Sequence, residues 1–329
     1  MEPAAFLGAS RVLIVAGKGG VGKTTVSAAV ARLASSVGMR TLVVEIEGKS
    51  GLSPLFGRSG SLSYSEVELL AASDAEGGVS ARTLTPDDAL LDYLIDHGLK
   101  RVSKRLASSG ALDVVATAVP GLRDILVLGK VKSLEKGADA DLIVVDAPAA
   151  GHAVTFLTSA KGLLDAFRVG PVRTQAAEVA ELLSDPARCQ VMLVTLPEET
   201  PVNEMIETAF KIEDRVGVSL APVVVNSIYP VLEGLVEGDA GAGGGGRAAE
   251  GGGGLAVGAG GLAEAGRFRH ARQELQAAQM ARLAEALPLP QLHLPYLFST
   301  DLGRVEVDQL AAALAAGIEA LPDHQGARP

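Results

Sequence analysis

The sequence predicts an α/β fold: a doubly wound, mostly parallel sheet flanked by helices. Three observations carry that expectation. Short apolar runs rich in β-branched residues recur along the chain, as strands buried on both faces require. Stretches with helical spacing of apolar residues separate them, and consecutive parallel strands need such crossovers. The third is composition: 48% of the 329 residues are apolar and only 3% aromatic, with no Trp, so the core must be aliphatic.

Taken in order, residues 11–16 (Arg-Val-Leu-Ile-Val-Ala) form the first strand, and a glycine-rich loop follows at once. Val26, Val30 and Leu33 then lie at helical spacing in a helix from Lys23 to about Ser36, which Gly38 ends. Residues 41–44 start the next strand, completing a βαβ unit. Further strands are expected at 142–145, 191–194 and 223–225, and a last one at 291–294. Thr85 and Pro86 open a helix carrying Leu90, Leu91, Leu94 and Ile95, and Thr200 and Pro201 open another.

The chain is expected to be one domain over residues 1–329, with a helical subdomain at about 61–140. Residues 234–266 read as a flexible insert, because the all-glycine runs 243–246 and 251–254 lose too much backbone entropy on ordering. A helix should follow over 268–286. Val307, Leu310, Leu314, Ile318 and Leu321 make an apolar stripe on a final helix docked in the core.

A formal charge of −10 gives no overall attraction for nucleic acid phosphates. The basic run Lys100, Arg101, Lys104 and Arg105 reads as a solvated helix face. Cys189 is the one cysteine, which excludes an intrachain disulfide and any multi-cysteine metal site, and the five histidines lack ligand spacing. Residues 1–10 do not resemble a signal peptide, and no apolar run is long enough to span a membrane. A cytoplasmic enzyme without direct membrane insertion is expected.

The chemistry concentrates in Gly17-Lys18-Gly19-Gly20-Val21-Gly22-Lys23-Thr24. This is the G-x-x-x-x-G-K-[ST] pattern of a P-loop NTPase, placed between an expected strand and an expected helix. Glycines let the backbone curl so that successive N–H groups face phosphate oxygens, and the helix N-terminus adds partial positive charge. Lys23 should reach the β- and γ-phosphates of ATP, the Thr24 hydroxyl should ligate Mg²⁺, and Thr25 can reach the α-phosphate. Lys18, just after the first glycine, is placed to reach a nucleotide across a dimer interface. A cation supplied in trans is worth roughly 10³–10⁵ in rate.

With residues 18–25 in view, the chain resembles the deviant Walker A ATPases, and among them the arsenite-pump ATPase (ArsA) family, which includes ATPases that target tail-anchored proteins. The resemblance extends to Pro120-Gly121-Leu122-Arg123-Asp124, similar to the family's P-G-x-x-E segment, and to Asp146-Ala147-Pro148-Ala149-Ala150-Gly151-His152, similar to its D-x-A-P-T-G-H switch. Pro197-Glu198, Asn226 and Leu294-Pro295-Tyr296-Leu297 follow in the family's order. The resemblance implies that Asp146 holds the water shell of Mg²⁺ and that the Gly151 backbone senses the γ-phosphate. It further implies that Asn226, Pro295 and Tyr296 border the adenine. A self-paired or paralogue-paired dimer is the implied working form.

Three departures stand out. The family's first switch carries a water-positioning aspartate in a D-P-A-H context, whereas here Glu47 falls on that position within Glu45-Ile46-Glu47-Gly48-Lys49. Glutamate is one methylene longer, and a displacement of about 1 Å can cost on the order of 10²-fold in rate, so hydrolysis is expected to be slow. The cysteines that bind zinc or sense arsenite elsewhere in the family are missing. Residues 61–110 read as charged and polar helices without a Met-rich apolar stretch, so no groove for membrane helices is expected there. Two alternatives remain open on the sequence: a positioning ATPase of the MinD/ParA type, and a slow or non-catalytic nucleotide-binding subunit of a heterodimer.

Overall fold

The computed structural model describes residues 1–46, 51–96, 98, 100, 101, 103, 121–231 and 259–322. Strands β1 (Val12–Gly17), β2 (Thr41–Ile46), β3 (Val67–Leu70), β4 (Val79–Leu84), β5 (Leu142–Ala149), β6 (Cys189–Thr195), β7 (Ser219–Leu220), β8 (Val223–Ile228) and β9 (Gln291–Pro295) form one sheet. Its order is β3-β4-β2-β5-β1-β6-β8-β9, with β7 beside β6. Every pairing is parallel except β3 with β4. The α/β, mostly parallel architecture therefore holds.

Alternation along the strands decides which helices cover which face. Leu13, Val15, Val43, Val144, Met192 and Val224 point to one side. They meet α1 (Pro3–Leu7), α2 (Lys23–Ser36), α3 (Leu52–Leu55) and, through Val307, Leu310, Leu314 and Ile318, α10 (Arg304–Glu319). Val12, Ile14, Val44, Ile143, Val145 and Val191 point to the other. There they meet α5 (Leu122–Gly137), α6 (Ala150–Ala166), α7 (Pro171–Ser184) and α8 (Glu199–Val216), with the C-terminal end of α9 (Ala259–Ala286) at the margin. The apolar stripe of α10 is thus docked in the core, as its sequence predicts.

Helix α4 (Pro86–Asp96) starts as its sequence directs: Pro86 takes the first position and the Thr85 hydroxyl accepts the Asp88 N–H at 3.2 Å. Helix α8 starts earlier than expected, with Glu198 rather than Thr200 at the cap. Pro201 still falls in the first turn, where a missing N–H leaves no helical bond broken.

Two expectations need correction. The stretch 61–140 is not wholly helical, because β3 and β4 lie within it and extend the central sheet. Strand β4 pairs in register with β2 from Thr41↔Val79 to Ile46↔Leu84, closing an edge that would otherwise leave backbone groups unpaired. The second concerns the glycine-rich insert. Residues 259–266 form the first turns of α9 instead of belonging to a loop, so that helix begins nine residues before Phe268. The rest of the insert, with Glu47, Lys104, Arg105 and Pro120, lies outside the described residues.

The layer around α4 and α5 is tied by charge. The Tyr64 hydroxyl donates to Asp92 at 2.7 Å, Lys130 pairs with the same carboxylate, and the Arg82 guanidinium lies 4.6 Å from the Tyr64 ring centroid. Lys132 of α5 pairs with Glu178 of α7.

Candidate functional site

Strand β1 sits between β5 and β6, so the loop leaving its C-terminal end emerges at the centre of the sheet. Gly17 closes the strand where a Cβ would lie 2.3 Å from the Val194 carbonyl oxygen, which leaves room for glycine alone. Gly22 has φ +88° and caps α2, and a Cβ there would meet the Asn226 amide nitrogen at 2.3 Å. Gly19 and Gly20 are exposed at the loop tip, whereas Val21 is buried beneath it.

Lys23 and Thr24 open α2 directly behind the loop. The Lys23 ammonium curls into the loop and donates to the Lys18 carbonyl at 2.9 Å. The Thr24 hydroxyl donates to Asp146 at 2.7 Å, and Asp146 is fully buried within β5, three residues before the strand ends. Thus the hydroxyl and carboxylate expected to serve one cation meet, although 122 residues separate them. An all-oxygen pair of this kind suits Mg²⁺, which takes one or two protein oxygens and keeps several waters. Gly151 lies in the first turn of α6, just after that strand.

Lys18 does not stand free. Its ammonium pairs with Glu204 of α8 at 2.7 Å, within the same chain, and both side chains are partly exposed. An exposed pair of this kind contributes about 0–1 kcal/mol, so the contact is readily exchanged.

A cavity of about 450 Å³ runs from Gly20, Val21, Gly22 and Thr25 to Asn226, Pro295 and Tyr296. Asn226 is buried; its amide donates to the Val21 carbonyl at 3.0 Å, and its oxygen accepts the Ser227 N–H at 2.9 Å. The side chain thereby braces the P-loop from below. The cavity's far wall contains residues the sequence reading missed. Tyr229 stacks on Tyr296 with ring centroids 5.2 Å apart, and Phe298 meets both edge-on. From α9, Arg269 and Arg272 lie over these rings, and Arg272 pairs with Glu198 at 3.1 Å. Gln276 holds the segment by accepting the Tyr229 N–H and donating to the Ser227 carbonyl. A signal for this wall was present. The chain has only four Tyr and seven Phe, yet aromatics follow closely after both Asn226 and Pro295.

Two ionisable groups near these strands are moved by burial. It pushes the Cys189 thiol up to about 12, leaving an inert thiol in the core, and it lowers the His293 pKa. Among the described residues no group of three or more His, Cys, Asp or Glu gathers as a metal centre. No described helix is long and apolar enough to cross a membrane.

A family model described as anion-transporting ATPase matches residues 10–170. The ATPase BagA of Mycobacterium tuberculosis is 33% identical over 311 residues, covering 89% of each chain. The chain belongs to the ArsA-like ATPase family. More distant members include a putative arsenical pump-driving ATPase of Halobacterium salinarum, 27% identical over 67% of this chain and 36% of its own length. The arsenical pump-driving ATPase of Escherichia coli is 26% identical over 67% of this chain and 40% of its own. For this ArsA-like ATPase, the strand, loop and helix at residues 12–36 lie within the matched family region, as does Asp146.

Proposed function

We propose that this ArsA-like ATPase binds Mg-ATP in the cavity between the P-loop and the aromatic wall, hydrolyses it, and uses the cycle to open and close a dimer. The observation that carries the reading is the Thr24–Asp146 hydrogen bond at 2.7 Å beside a glycine-lined loop. Lys23 and the loop N–H groups grip the β- and γ-phosphates, and the loop glycines leave the backbone amides unobstructed. Asp146 and Thr24 hold Mg²⁺, which supplies charge neutralisation at the phosphates when bound. Asn226, Pro295, Tyr296 and the stacked Tyr229 accept the adenine, because an aromatic face gives a planar base a partner at little entropic cost.

In this reading Lys18 exchanges Glu204 for phosphate oxygens on a second subunit, which is either another copy or a paralogue. The Gly151 backbone reports the γ-phosphate at the start of α6, and Glu47 orients the attacking water. Loss of the γ-phosphate releases those contacts and reopens the pair. A cytoplasmic setting belongs to the same proposal, since cycling needs a replenished nucleotide pool.

The test is phosphate release by the purified chain with Mg-ATP, alongside sedimentation with a non-hydrolysable analogue. Wild type should turn over slowly and dimerise with nucleotide. Lys18→Ala should lower turnover by at least about 10³-fold and weaken dimerisation, as loss of a trans cation does. Unchanged turnover and dimerisation in Lys18→Ala would sink the trans role.

A further inference from the structure

Glu45 is a fully buried carboxylate on β2, and the reading above gives it no task. Burying a carboxylate is costly, and an apolar residue of similar volume would pack there at least as stably. A carboxyl group retained in such a place calls for a function rather than a packing explanation.

Its surroundings supply one. In the parallel register Glu45 lies opposite Asp146 of β5, so both side chains project to the α2 face of the sheet. One Glu45 oxygen accepts the buried Leu52 N–H at 3.0 Å, which ties Leu52 to β2. Leu52 itself is fully buried among the side chains beneath α2. Gly51, immediately before it, passes so close to the P-loop that a Cβ would lie 3.3 Å from the Thr24 methyl carbon. Thr24 is β-branched and stiff about its first side-chain torsion, so contact on the methyl also sets the direction of the hydroxyl. That hydroxyl points at Asp146.

We infer that Glu45 is a positioning residue for the cation site. By holding Leu52, its carboxylate keeps Gly51 against Thr24 and so keeps the Thr24 hydroxyl aimed at Asp146. Glu45 acts as a hydrogen-bond acceptor at a fixed place and touches neither nucleotide nor metal. The inference rests on the Mg-ATP reading, but it concerns one link of that site and can fail alone.

Calorimetry with a non-hydrolysable ATP analogue, with Mg²⁺ and with EDTA, separates the two. Glu45→Ala should leave affinity in EDTA unchanged and lose about 10-fold of the Mg²⁺-dependent gain, the scale set by sub-ångström misplacement. In turnover, kcat should fall by about 10–30-fold and KM should rise by about 10-fold, since slow chemistry makes KM follow the lost Mg²⁺-dependent affinity. Glu45→Gln keeps an acceptor oxygen without the charge, and should recover both quantities to within about 3-fold. Gly51→Val presses on the Thr24 methyl from the other side and should reproduce the Glu45→Ala pattern. It also carries the test should Glu45→Ala fail to fold. The inference is overturned if Glu45→Gln is as impaired as Glu45→Ala, since the charge itself would then be needed. Wild-type behaviour in a folded Glu45→Ala, or in Gly51→Val, overturns it equally. A wild-type chain that binds no nucleotide sinks the parent reading instead.

Discussion

The P-loop end of the sheet and the flank formed by β3, β4, α4 and α5 are built on different principles. At the P-loop, local stereochemistry dictates shape: Gly17 and Gly22 stand where a side chain would strike Val194 or Asn226, and the helix begins on the next residue. On the flank, shape comes from partners distant in sequence. Strand β4 owes its place to β2, and the Tyr64–Asp92–Lys130 cluster joins a loop to two helices. A local rule can be broken by one methyl group, whereas a distributed network loses one contact at a time.

The largest expected effect tests whether the two regions are energetically separate. Leu128 is fully buried on α5, and Leu128→Ala should cost about 2–5 kcal/mol of stability through lost burial and a cavity. Denaturant unfolding checks the loss, and calorimetry on the folded fraction should still find wild-type affinity for Mg-ATP. A matching fall in affinity would mean that the flank shapes the site and that the contrast drawn here is false.

Next comes the reverse perturbation. Gly22→Ala puts a methyl group at a backbone φ of +88° and against the Asn226 amide. Affinity for Mg-ATP should drop at least about 100-fold, roughly 2.7 kcal/mol, with a smaller change in unfolding midpoint. Near-normal binding would show that the loop is less constrained than its geometry implies.

Tyr64→Phe removes one hydrogen bond of the flank network while keeping the ring under Arg82. It should cost about 0.5–1.5 kcal/mol in unfolding and leave turnover alone.

The smallest effect depends on pH. Burial by itself opposes ionisation of Asp92, yet hydrogen bonds from Lys130 and Tyr64 outweigh it and hold the carboxyl below its ordinary value. A depressed carboxylate contributes stability that is fully present above its unfolded pKa, about 3.9, and disappears as pH falls through the lower folded value. The unfolding difference between wild type and Asp92→Asn should therefore be flat from about pH 7 to 5 and shrink below about pH 4. A difference that grows on acidification would reverse the assignment.

These contrasts also explain what was legible in the sequence. The first strand, the P-loop and the helix over residues 23–36 were readable because strand hydrophobicity, glycine spacing and helix start are written in adjacent residues. Strand β4 was not, since Arg82 and Thr83 look polar and are buried only through pairing and the Tyr64 contact. The start of α9 was hidden by Gly260 and Gly261, which lower helix propensity without forbidding a helix. In the candidate site, Thr24 and Asp146 were legible from motif and strand end. The aromatics after Asn226 and Pro295 were a signal for a wall, but that Tyr229, Phe298 and Arg272 share it was hidden, because three separate segments bring them together. The Lys18–Glu204 contact was equally invisible, since sequence spacing does not reveal which carboxylate a helix turns toward a loop.

The central claim is that backbone amides and Lys23, backed by Thr24 and Asp146, form a magnesium-dependent triphosphate site. Titration calorimetry of the full chain with ATP, in Mg²⁺ and in EDTA, tests it most directly. The account predicts saturable heat at one site per chain, strongly weakened in EDTA and lost in Lys23→Ala. Absence of heat with any adenine nucleotide in the presence of Mg²⁺ would contradict it.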